Sequence, residues 1–146
     1  MRHVRTLGAT ALATAAGLAL IGSALTGTAE AAPEGLYSPS ALVLTLGQGD
    51  APGTAHIVRA VTLSCAPTPG GTHPSPKAAC AELAASGGDL GALTVRSGDR
   101  PCTREWAPVT ITGDGVWQGR RISWSETYAN TCVQHARTAS VAALAF

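Results

Sequence analysis

Beyond its first 31 residues the sequence has no G-x-S-x-G turn, no H-E-x-x-H and no phosphate-cradling G-x-x-x-x-G-K. The usual motif routes to a serine hydrolase, a zinc protease or a nucleotide-dependent enzyme are therefore missing. A catalytic triad can be assembled from Ser64, His73 and Asp89 only by free choice, as in most domains. There is no C-x-x-C pair either, and His56, His73 and His135 stand at no ligand spacing, so neither a metal nor another cofactor is expected. Charge of one sign is lacking too. Of 10 Lys and Arg, Arg2 and Arg5 fall in the leader, and of 9 Asp and Glu, Glu30 does; 8 of each sign remain. A formally neutral domain is a poor partner for nucleic acid, which needs a basic patch.

What is present at the start is an export signal. Arg2 and Arg5 precede the nearly uncharged run 7–25, and Ala29-Glu30-Ala31 is a small-x-small cleavage signature. Residues 1–31 therefore read as a cleaved secretory signal peptide. A membrane span is the weaker alternative, because Gly, Ser and Thr interrupt the run. No second long apolar run follows, so no membrane attachment is expected after cleavage. Residues 32–146, 115 of the 146, suffice for one compact domain.

All 4 cysteines, Cys65, Cys80, Cys102 and Cys132, lie in this exported part. An even count in a small secreted domain reads as two disulfides. Three pairings are open from the residues. The sequential one, Cys65 with Cys80 and Cys102 with Cys132, closes the shortest loops and would stabilise the fold by about 3 kcal/mol per bridge.

The order of elements points to an α+β fold. Residues 41–46 (ALVLTL) predict a central strand, and a turn-rich stretch at 47–53 leads to a second strand over 55–64. Three prolines and two glycines exclude regular structure from 66–75. Ser75 then caps a helix with Pro76 at its first position and Gly87-Gly88 at its end. Pro76, Ala79, Cys80, Leu83 and Ala84 share one face, which aims Cys80 at the end of the second strand, where Cys65 lies. The polar stretch 94–101 should run outside. Strand 109–112, an Asp114-Gly115 turn and a strand within 116–128 predict a hairpin, with Ile122, Trp124 and Tyr128 on one face. Thr131 and Gln134 suggest a capping box for a short helix to about Arg137. Residues 141–146 read as a terminal strand with its aromatic buried. Short connections favour an antiparallel sheet with the helices on one face.

Between the helix and the hairpin lies Cys102-Thr103-Arg104-Glu105-Trp106-Ala107-Pro108. A cysteine anchors one side and a proline stiffens the other, with Arg104 and Trp106, residue types that dominate interface energies, between them. An arginine so placed is commonly just a solvated charge. The alternative is a preformed loop offered to a partner, since a segment already held in its bound shape binds more tightly for the same contacts.

The chain resembles the subtilisin-inhibitor family of streptomycete bacteria. The resemblance is carried by LYSPSALVLTLG at 36–47, RAVTLSCAP at 59–67, GTHP at 71–74, AC-x-x-LAA-x-GGDL at 79–90, DGVWQGRR at 114–121, N-x-C at 130–132 and the closing AF. It implies a secreted inhibitor of serine proteases, not an enzyme: a five-stranded antiparallel sheet with two helices packed on one face, two sequential disulfides and a homodimer. It further implies a reactive bond two residues after the third cysteine, between Arg104 and Glu105. Cys102, Thr103 and Trp106 would then contact the protease around it. Thr103 stands where the family commonly has proline, and Glu105 puts a carboxylate just after the bond. Arginine before the bond adds trypsin-like enzymes to subtilisin-like ones as expected targets. The competing reading is a secreted binding or structural domain on the same scaffold with a non-protease partner.

Overall fold

A computed structural model describes residues 38–94 and 101–146. Its centre is a five-stranded antiparallel sheet in the order β3-β2-β1-β4-β5. These strands are β1 (Ser40–Gln48), β2 (His56–Ala66), β3 (Gly70–Gly71), β4 (Val109–Trp117) and β5 (Arg120–Tyr128). Three helices, α1 (Pro76–Ala85), α2 (Leu90–Thr94) and α3 (Thr131–Thr138), and a 3-10 turn at Ala142–Leu144 complete it. The expected α+β sheet is present, with α2 as an additional helix.

Period-two alternation decides which side of the sheet is covered. Leu42 and Leu44 in β1 pair with Leu63 and Val61 in β2, and all four are buried. Val43 pairs with Thr62 on the opposite face, where Val43 is 45% exposed. The buried face meets Ala79, Cys80 and Leu83 of α1, Leu90 of α2, and Val141, Ala143 and Leu144 at the C-terminus in one core. The Cys65–Cys80 disulfide, with Cα atoms 5.5 Å apart, ties β2 to α1 as the helix face implied. Ala84 of the predicted face is exposed, and Ser75 holds the cap position without a side-chain hydrogen bond.

Four expectations change. The hairpin turn is not at Asp114-Gly115 but at Gln118-Gly119, whose φ values of 49° and 78° fit a two-residue primed turn between Trp117 and Arg120. Gly115 lies inside β4 instead, because the strand passes so close to the Ala41 carbonyl of β1 that a Cβ would collide with it. Within 66–75, Gly70–Gly71 forms the short edge strand β3 against Leu63 and Ser64. The C-terminal segment is a 3-10 turn rather than a strand, and it pairs with neither edge strand, β3 or β5, of the sheet. It docks on α1, where the Ala143 N–H donates to Glu82 Oε2 at 3.0 Å, and Phe146 is half-buried. Finally, Thr94 is buried as the last residue of α2; residues 95–100, read as an outer segment, lie outside the described residues.

His73 sits under this C-terminal segment, 4% exposed, its ring centroid 6.1 Å from that of Phe146. Its Nδ1 accepts from the Ser75 N–H at 3.1 Å, and its Nε2 faces the interior without a well-formed hydrogen bond. Burial lowers its pKa below the ordinary 6.5 and the charge of Arg59 acts in the same direction, opposed by the Ala143 and Ser75 backbone. The unfolded chain thus binds the proton more readily than the folded one, so stability is unaffected above pH 6.5 and falls as the pH drops below it. Urea unfolding between pH 8 and pH 4.5, spanning the unperturbed histidine value, should show this loss. The His73→Gln variant should show a shallower dependence through the same range.

Candidate functional site

Gln48, Val109 and Tyr128 lie in one row across β1, β4 and β5, at one end of the sheet. At this end residues 101–108 pass without regular structure, and Thr103, Arg104, Glu105, Trp106 and Ala107 are all exposed. Trp106 is 66% exposed, an unusual position for a large aromatic side chain with apolar surface to bury.

Five attachments, one disulfide and four hydrogen bonds, hold this segment. The Cys102–Cys132 disulfide, with Cα atoms 5.7 Å apart, ties its start to α3. The Asn130 Nδ2 donates to the Thr103 carbonyl at 3.1 Å and to the Glu105 carbonyl at 2.9 Å. The Ala107 N–H donates to the Ala129 carbonyl at 2.9 Å, and the Pro108 carbonyl accepts from the Gly49 N–H at 2.9 Å. The side-chain bonds thus fall on the residues either side of Arg104, so the chain is pinned before and after it.

Asn130 is itself fixed by a second task. Its Oδ1 accepts from the Val133 N–H at 3.0 Å, making it the N-cap of α3. Being 6% exposed, the carboxamide uses both kinds of hydrogen-bonding group against protein. The capping box expected from Thr131 and Gln134 is therefore absent: Asn130 caps the helix by itself, and Gln134 Nε2 donates to Thr138 Oγ1 instead. Asparagine just before the predicted helix was the available signal, because it caps at least as well as threonine. Its bonds to the loop had no sequence signal, being contacts across 27 and 25 residues.

The other candidate residues do not assemble. His73 Nδ1 is occupied by the Ser75 backbone, and Asp89 Oδ1, just before α2, accepts from the Ala92 N–H at 3.2 Å. Neither is bonded to Ser64, so no triad forms. Among the described residues no three His, Cys, Asp or Glu side chains are grouped to hold a metal, and the four cysteines are bridged.

Fold and site together define a small disulfide-bridged domain that presents one braced, exposed segment without regular secondary structure. The comparisons with known proteins agree. The Subtilisin inhibitor-like family model matches residues 38–130. A "Subtilase-type protease inhibitor" of Streptomyces coelicolor is 55% identical over 140 residues, covering 96% of this chain and 94% of that protein. "Subtilisin inhibitor-like protein 2" of Streptomyces rochei is 58% identical over 110 residues, covering 75% and 96%. The crystal structure of Streptomyces caespitosus sermetstatin in complex with Bacillus licheniformis subtilisin matches with a TM-score of 0.70 at 46% identity, covering 74% of this chain and 99% of that one. The chain belongs to the subtilisin inhibitor-like family, whose members similar to it are protease inhibitors and not enzymes.

Two substitutions separate the tasks of Asn130. Asn130→Asp keeps the capping oxygen but removes both donors to the loop, whereas Asn130→Ala removes everything. Hydrogen exchange over residues 102–108 should quicken in both. Thermal unfolding should show a loss for Asn130→Ala of which about 1 kcal/mol is attributable to the missing cap, and a loss for Asn130→Asp that comes from the loop alone, where a carboxylate oxygen would face two carbonyls.

Proposed function

We propose that the protein is an extracellular inhibitor of serine proteases, both subtilisin-like and trypsin-like, that offers Arg104-Glu105 as a substrate-like reactive bond. The observation that carries this reading is the pinning of Thr103 and Glu105 by one buried asparagine, with the Cys102–Cys132 bridge next to them. A protease binds substrate as an extended strand and takes the side chain before the scissile bond into a pocket. Here Arg104 fills that pocket, Cys102 and Thr103 precede it, and Glu105 and Trp106 follow. The loop gives up little conformational freedom on binding, because it is already ordered.

The same attachments explain inhibition rather than digestion. If the bond is cut, Cys102 remains bridged to Cys132, and Ala107 remains bonded to Ala129. The new ends stay adjacent, so religation competes with release. The β-branched Thr103 favours an extended backbone, and an arginine suits a pocket with an acid at its floor. The sermetstatin complex supports subtilisin as one partner class.

Residues 1–31 are read as the export signal that places the inhibitor outside the cell. The protein is further read as a homodimer. What supports this is the outer face of the sheet, where Ala41, Val43, Ala60 and Thr62 are exposed and meet no helix among the described residues. Mass spectrometry of the exported protein should find Ala32 at its N-terminus, and sedimentation should give twice the protomer mass.

Titration of trypsin and of subtilisin should end at an equimolar point per protomer, and absence of inhibition at micromolar protein would overturn the reading. Arg104→Ala should weaken trypsin inhibition by about 2–4 kcal/mol, the range of interface hot spots, and subtilisin inhibition less. Equal losses would refute the pocket role. The Cys102→Ser, Cys132→Ser double variant should be cut as a substrate; a variant that inhibits fully and stays intact would refute the tethering.

A further inference from the structure

The turn between β1 and β2, residues 49–55, is fastened to the same end of the sheet as the Arg104 segment. The Gly49 N–H reaches the Pro108 carbonyl at 2.9 Å, four residues after Arg104. Two threonines of the hairpin lock it from below. Thr110 Oγ1 donates to the Gly49 carbonyl at 2.8 Å, and Thr127 Oγ1 donates to the Asp50 carbonyl at 3.2 Å; the two hydroxyls lie 2.9 Å apart. Within the turn the Thr54 and Ala55 N–H groups close on the Ala51 carbonyl at 3.2 and 2.9 Å. Its carbonyls are thus tied down, while Asp50, Pro52, Gly53 and Thr54 stay exposed.

We propose that this turn is a second protease-contacting surface, seated against the rim of the enzyme on the leaving-group side of the Arg104-Glu105 bond. The inference rests on the loop reading above and extends it. A cleft laid along residues 102–106 ends beside Ala107 and Pro108, and the next surface met in that direction is the turn hydrogen-bonded to Pro108. The occupant is therefore the same subtilisin-class protease, by continuity with the loop. A rigid second contact adds affinity at little ordering cost and gives the inhibitor a means of choosing among proteases that share one pocket. The opposite end of the sheet is out of reach, because nine-residue β1 spans roughly 26 Å at about 3.3 Å per residue.

Gly53 allows a clean test. A Cβ there meets nothing within 4 Å and the residue is exposed, so a side chain added at this position points into open space at its root. Gly70, at the far end in β3, where a Cβ likewise meets nothing within 4 Å, is the control. Against subtilisin, Gly53→Trp should change the inhibition constant by about tenfold or more, the effect of one interface hot spot, and Gly70→Trp should not. A benzophenone side chain replacing Pro52 should crosslink to subtilisin in the complex, and one replacing Gln118 should not. Unchanged inhibition by Gly53→Trp, or no crosslink from position 52 in a stoichiometric complex, overturns the proposal. So does faster exchange of residues 102–108 in free Gly53→Trp, which would make the turn a brace alone. Failure of the loop reading is seen separately, as Arg104→Ala inhibiting like the parent.

Discussion

The Asn130 carboxamide is the contact on which the presented segment depends. A planar amide has a fixed angle between its oxygen and its two N–H bonds, so satisfying all three sets the relative positions of three pieces of chain. The oxygen starts α3, and the nitrogen takes the carbonyls of Thr103 and Glu105. Because the group is buried, every unmade bond would carry a desolvation cost of about 1–3 kcal/mol. Helix and loop are consequently coupled: displacing either one leaves a polar group unsatisfied under the other.

The rest of the molecule makes that coupling rigid. Cys132, two residues past the cap, carries the bridge to Cys102, so covalent and hydrogen-bonded tethers converge on the first turn of α3. Val109 leaves the loop directly into the sheet, paired with Gln48 of β1 on one side and Tyr128 of β5 on the other. The loop therefore has a helix at one root and a central strand at the other. A core of Leu42, Leu44, Leu63, Leu83 and Ile111 keeps strand and helices in register. The inhibition by occupancy proposed above would need this arrangement, since a loop that relaxed after cleavage would release its ends.

Local pattern and tertiary context each account for a definable part of the structure. The alternation in β1, the Pro76 start of α1 and the even cysteine count are properties of neighbouring residues, and each is legible along the chain. The hairpin shows where such reading stops. Asp114-Gly115 and Gln118-Gly119 both carry a glycine, and the stronger local signal belongs to the first pair. Packing reverses the choice, because β1 crosses so near Gly115 that the strand must continue there. The C-terminal apolar run likewise has the composition of a strand, yet Val141, Ala143 and Leu144 are buried in the core beside α1 instead.

What the sequence determined by itself is therefore the α+β class, the order of most elements, the exposed stretch between Cys102 and Pro108 and, through spaced motifs, the family. These follow from short-range sterics, from the periodicity of apolar side chains and from residues that need no partner to be recognised. Tertiary structure alone decided how the segment is held: the reach of Asn130 over 27 residues and of Thr110 over 61. Hydrogen bonds between distant residues depend on where the chain returns in space, and no local preference of asparagine or threonine records that.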